Sequence, residues 1–90
     1  MVWEKENVLF GFSTSIWNLI LTGSEGDSTK FLRGRVVVEG FPYEDGREFE
    51  VTYHNVLSGS STHLNPNVFG KKSEADAFAK KWMKEHPKGV

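Results

Sequence analysis

The sequence predicts an α+β domain spanning residues 1–90: a four-stranded antiparallel meander sheet with one C-terminal α-helix packed on one face. Three observations carry that expectation. Apolar and polar residues alternate with a period of two in several short segments. Turn-forming clusters separate those segments at short intervals. The last fifth of the chain switches to a period near 3.6.

The first predicted strand is residues 8–14, where Val8, Phe10 and Phe12 share one face and Leu9, Gly11 and Ser13 the other. Residues 16–22, IWNLILT, are read as a second strand because they are short, β-branched and aromatic. One helical turn is the alternative for this stretch. Ile16 and Trp17 point to opposite faces of such a strand, so only one of them can lie beneath the helix. The cluster Gly23-Ser24-Glu25-Gly26-Asp27-Ser28 follows as a turn.

Residues 31–39 form the third predicted strand, with Leu32, Val36 and Val38 on one side and Arg33, Arg35 and Val37 on the other. Residues 47–57 form the fourth, with Phe49, Val51 and Tyr53 inward and Glu48, Glu50, Thr52 and His54 outward. Asp45-Gly46 between them is a hairpin signal. Pro42 removes one ladder donor, which suits an edge or a bulge. Antiparallel pairing from that turn is expected to bring Arg33 and Arg35 near Glu48 and Glu50 and neutralise them.

The helix is expected to start at Ser73, with Asp76 completing an S-x-x-D capping box. Ala75, Phe78, Ala79, Trp82 and Met83 form its apolar stripe. Lys80, Lys81 and Lys84 occupy the other side, near the C-terminal end of the macrodipole, and Pro87 stops the helix.

Composition narrows the function classes. The chain has no cysteine, so neither a disulfide framework nor a thiolate ligand is available. The run MVWEKEN lacks the basic and apolar regions of a signal peptide, and Ile16–Leu21 is too short to span a bilayer. A cytoplasmic protein with no membrane partner is the expectation. Net charge is −1, so no global field draws the chain to nucleic acid. Residues 1–50 carry nine acids and five bases, and residues 51–90 three acids and six bases, a mild asymmetry.

No set of residues makes a complete catalytic or cofactor site. His54, His63 and His86 have no helical metal-ligand spacing, and no metal or cofactor is expected. Gly70-Lys71-Lys72-Ser73 lacks the earlier glycine and the Gly-Lys-Ser/Thr junction of a P-loop. Phe10-Gly11-Phe12 lacks the preceding helix and basic residue of an RNA-recognition strand.

The expected function is therefore a non-catalytic protein-binding module, a small regulator or inhibitor acting on a larger partner. The uncovered sheet face, the edge strands and the 57–72 loop are its candidate surfaces, with Trp17, His63, Leu64, Asn65 and Asn67 as candidate contact residues. Self-pairing into a homodimer is a related route. The alternative is nucleic-acid binding through Lys30, Arg33, Arg35, Lys71, Lys72, Lys80, Lys81 and Lys84, with aromatic stacking.

Overall fold

A computed structural model describes residues 2–6, 14–22, 30–41 and 48–89. Among them, one antiparallel sheet contains five strands, in place of the four expected, and one α-helix follows. The strands are β1 (Val2–Glu6), β2 (Thr14–Thr22), β3 (Lys30–Phe41), β4 (Glu48–Asn55) and β5 (Ser61–His63); the helix α1 is Lys72–Glu85. Their spatial order equals their chain order, so the sheet is a meander.

The expected first strand falls mostly on residues 8–13, which lie outside the described residues, as do Pro42 and the Asp45-Gly46 turn. The strand beside β2 is instead Val2–Glu6. Its Glu4-Lys5-Glu6 sequence has low strand propensity, but such charges suit an edge strand, where they deter pairing with other chains. Residues 16–22 belong to a strand, and β2 extends back to Thr14.

One face of the sheet carries the core. Ser15, Trp17 and Leu19 of β2, Val36 and Val38 of β3, and Phe49, Val51 and Tyr53 of β4 are buried at alternate positions. Ala75, Ala79 and Met83 of α1 are buried against them, and Phe78 and Trp82 flank the contact, as the stripe predicts. The helix lies across β3 and β4, and its two buried alanines, Ala75 and Ala79, allow close approach to the sheet.

Leu32 departs from the expected alternation. Leu19 pairs with Gly34 but Ile20 pairs with Leu32, so Arg33 is an extra residue in β3. This bulge reverses the parity of everything before it and moves Leu32 away from the face of Val36 and Val38.

The helix start also differs from expectation. Lys71 is the N-cap, with no side-chain capping bond, and Ser73 lies within the first turn. Asp76 is engaged elsewhere: Lys72 Nζ donates to Asp76 Oδ2 at 2.8 Å and to the buried Ser15 Oγ at 2.7 Å. A lysine one turn from Asp76 and directly above β2 outcompetes the local capping geometry. At the other end, His86 caps the helix and Pro87 follows.

An aromatic cluster ties the sheet's first strand to the end of the helix. Trp3 Nε1 donates to the His86 carbonyl at 3.1 Å, and Trp3 meets Tyr53 and Trp82 edge-on at 6.5 and 6.2 Å between centroids. Trp3 and Tyr53 are separated by two intervening strands, β2 and β3, yet they touch because Gly34 of β3 has no side chain. A Cβ at Gly34 would stand 2.6 Å from the Tyr53 hydroxyl and 2.9 Å from Cε2. Gly89, at φ +70°, folds the chain after the helix over the same ring.

The 57–72 segment is largely stapled to the sheet. Asn55 Oδ1 accepts from the backbone N–H of Leu57 and Ser58, and Gly59 takes φ +73° to close the turn. β5 then pairs with β4. Beyond it, Leu64 N–H donates to Val51 O, Val51 N–H donates to Asn65 Oδ1, and Phe49 and Phe69 exchange two backbone bonds. The Asn65 carboxamide thus acts as a ladder acceptor where Pro66 follows.

Candidate functional site

The helix covers one side of the sheet and leaves the other uncovered among the described residues. Strand alternation and register decide what that open face displays. Ile16, Asn18 and Ile20 of β2 and Arg35, Val37 and Glu39 of β3 point there, opposite to the core set. The bulge adds Leu32.

Reading across the strands gives distinct rows. Val2, Ile20 and Leu32 are in register, with Val56 alongside through its backbone bond to Arg33. Glu4, Asn18, Arg35, His54 and Ser61 form the next row, and Glu6, Ile16, Val37, Thr52 and His63 the one after. Thr14, Glu39 and Glu50 close the series. The face therefore has one apolar row, Val2–Ile20–Leu32–Val56, and a separate apolar pair, Ile16–Val37, with polar residues between and around them. A concavity of about 340 Å³ lies over its centre, floored by Ile16, Leu32, Val37 and Val56 and edged by Thr14, Arg35, Glu39 and His54.

The polar groups are linked to one another. Arg35 Nε donates to Asn18 Oδ1 at 2.8 Å, and Asn18 Nδ2 donates to Glu6 Oε1 at 3.2 Å. His54 Nδ1 and Ser61 Oγ share a hydrogen bond of 2.7 Å, and His63 Nδ1 stands 3.7 Å from Glu50 Oε2. The expected Arg–Glu neutralisation is corrected here: Arg35 faces His54 across the ladder, while Glu50 faces Glu39. Pairing starts at Phe41↔Glu48, so Arg35 lies six residues along β3 from that point and Glu50 only two along β4.

The His54–Ser61 pair has the distance of a nucleophile and base, but both groups are exposed. The cross-strand neighbour of His54 is the Arg35 cation, whereas a catalytic imidazolium needs a carboxylate. Among the described residues, no group of three or more His, Asp or Glu side chains is placed to hold a metal ion, and no helix is long and apolar enough to cross a membrane.

The candidate contact residues separate. Trp17 is 5% exposed and lies in the core; the face it was expected to serve belongs to Ile16, because the helix takes the odd-numbered side of β2. Leu64 packs against the core and Asn65 staples the loop, with Nδ2 donating to the Asn67 carbonyl at 2.6 Å. Only His63 joins the open face.

The basic residues divide as well. Lys30 opens β3 and Arg33 is the bulge residue, while Arg35 is on the open face. Lys71, Lys80, Lys81 and Lys84 are exposed on the helix side, opposite Arg35, and Lys72 is held by Asp76. Sequence reasoning did not single out Leu32 and Val56 as surface residues. The visible signal for the face as a whole was the presence of apolar residues at both parities of β2 and β3.

Comparison with protein-family models, curated proteins and solved structures finds no match to this chain.

Proposed function

We propose that this chain is a non-catalytic protein-binding module, a small regulator or inhibitor that engages a larger partner through its open sheet face. The observation that carries the reading is the apolar floor of that face. Leu32 and Val56 lie in one row and Ile16 and Val37 in another on the side away from the helix, with Asn18, Arg35 and His54 between them, and Val56 is 44% exposed. Apolar side chains interspersed with polar ones are the usual composition of a protein interface. The 57–72 loop is a weaker candidate, since its polar groups are spent on the edge of β4.

Nucleic-acid binding is less well supported. Among the described side chains, Arg35 and the exposed lysines Lys71, Lys80, Lys81 and Lys84 lie on opposite sides of the sheet and line no shared groove.

The test is affinity isolation from native extract with nuclease treatment, using the unaltered chain, Val56→Glu and Lys80→Ala. A stoichiometric protein partner retained by Lys80→Ala and lost with Val56→Glu is the expected result. A partner indifferent to Val56→Glu, or one released by nuclease, refutes the reading.

A further inference from the structure

We infer that the open face also pairs with a second copy of this chain, sheet against sheet, about a two-fold axis that runs along the strands between β2 and β3. Resting on the same reading of the open face as a binding surface, this pairing names a competitor for it: partner and second copy exclude each other. Rotation about such an axis turns the face over and exchanges its two sides. Each row of one copy then meets the same row of the other in reverse order, with β1 over β4 and β2 over β3.

The rows are complementary to their own reversal. In the apolar row, Ile20 meets Leu32 of the second copy and Val2 meets Val56 of the second copy. The polar row beside it begins with Glu4 on β1 and Asn18 on β2, and continues with Arg35 on β3 and His54 on β4. Its carboxylate thus stands at one end and its cation and imidazole toward the other. Reversal sets Asn18 against Arg35 of the second copy, and Glu4 against His54 with that Arg35 one strand away. Arg35 Nε is held by its own Asn18 at 2.8 Å, and the guanidinium has further N–H groups to offer across the interface. In the third row Ile16 meets Val37 of the second copy, and Glu6 meets Thr52 with His63 one strand beyond. The last row sets the Thr14 hydroxyl against the Glu39 carboxylate.

Other placements lose this match. An axis over β3 sets Arg35 against itself, and an axis over β2 sets Glu6 on Val37. An axis running across the strands along the polar row sets both Glu4 and Arg35 against themselves. The usual angle of about 30° between aligned sheets moves the outer strands, about 7 Å from the axis, by about 4 Å along their length, within reach of the Glu4 and His54 side chains. Four strands by four rows cover about 500 Å² on each copy, or about 1,000 Å² in all. That is the low end for a specific complex, so the pair is reversible and a partner can displace it.

The experiment is sedimentation equilibrium and methyl NMR on the full chain from about 10 μM to about 1 mM. The expected result is a concentration-dependent dimer with an intermolecular contact between the Ile16 and Val37 methyls, detected in a mixture of labelled and unlabelled copies. Glu4→Arg and Arg35→Glu, each checked for folding by circular dichroism, should separately weaken the dimer at least about tenfold. Glu4→Arg places two cations together across the axis and Arg35→Glu places two carboxylates together, so mixing the two variants should restore pairing as a heterodimer. A chain that stays monomeric at about 1 mM overturns the inference and leaves the partner-binding reading standing. A dimer whose contacts lie on the helix side or along a sheet edge, or one indifferent to both charge variants, overturns it as well. A dimer with the expected methyl contact, together with an extract partner that ignores Val56→Glu, upholds the inference and refutes the partner-binding reading alone.

Discussion

A single methyl group added at Gly34 tests how the aromatic cluster is built. The new Cβ would lie 2.6 Å from the Tyr53 hydroxyl, 2.9 Å from Cε2 and 3.0 Å from Cζ. These are separations that something must relieve by moving. Tyr53 is 4% exposed and is bounded by Trp3, Trp82 and Gly89, so the ring has little room to retreat. Overpacking of this kind costs about 1–3 kcal/mol. Against it stands about 0.4–1 kcal/mol gained because alanine restricts the unfolded chain more than glycine does. The net expectation for Gly34→Ala is a loss of about 1–2 kcal/mol. For a chain of this size that lowers Tm by about 4–15 °C. Urea and thermal unfolding followed by far-UV circular dichroism and tryptophan fluorescence would measure it. A double-mutant cycle isolates the cause: in a Tyr53→Leu background, which removes the three clashing atoms, the same glycine change should cost about 1 kcal/mol less. Gly34→Ala as stable as the parent, or equally costly in both backgrounds, would falsify the close-approach argument.

Other consequences follow from the same packing. Gly89→Ala is expected to be more damaging than Gly59→Ala, although both sites have positive φ, because a Cβ at Gly89 would stand 2.6 Å from the Tyr53 hydroxyl and 2.9 Å from Leu19 Cδ2 whereas one at Gly59 would face open space. Urea midpoints should show Gly59→Ala losing about 1 kcal/mol and Gly89→Ala clearly more. Lys72→Met leaves Asp76 and Ser15 without their cation; the pair is partly exposed, so the discounted cost is about 1 kcal/mol. Adding Asp76→Asn should restore part of that stability, and an additive double mutant would argue against the coupling. Asn65→Ala removes the acceptor of the Val51 N–H and is expected to cost about 1–2 kcal/mol, with faster hydrogen exchange at Val51 and Leu64. Unchanged exchange there would show that the loop docks without it.

Much of the local structure is legible in the sequence because its causes are local. The stripe of Ala75, Ala79 and Met83 follows from helical periodicity, and burial at Phe49, Val51 and Tyr53 follows from alternation. β5 was hidden because Ser61-Thr62-His63 has no apolar face of its own; it is held by a ladder with β4. β1 was hidden by its charges, and the capping box failed because Lys72 found partners in a strand 57 residues away. Leu32 was assigned to the wrong side because one extra residue in β3 reverses parity, and no propensity marks where such a residue falls.

Trp17 and Ile16 summarise the division between the two levels. If residues 16–22 form a strand, period-two geometry puts these neighbours on opposite faces, and that much is read from the chain. Which face the helix covers is a long-range matter, settled by the apolar area of Val36, Val38, Val51 and Tyr53 that the stripe of α1 meets. That choice buries Trp17 and leaves Ile16 on the open face. Composition likewise determined a nearly neutral chain, but the pairing register placed Glu4, Glu6, Glu39, Glu48 and Glu50 on one face and the helix lysines on the other. Charge count is a property of the chain; charge segregation is a property of the fold, because strand register and helix docking act between residues far apart in sequence.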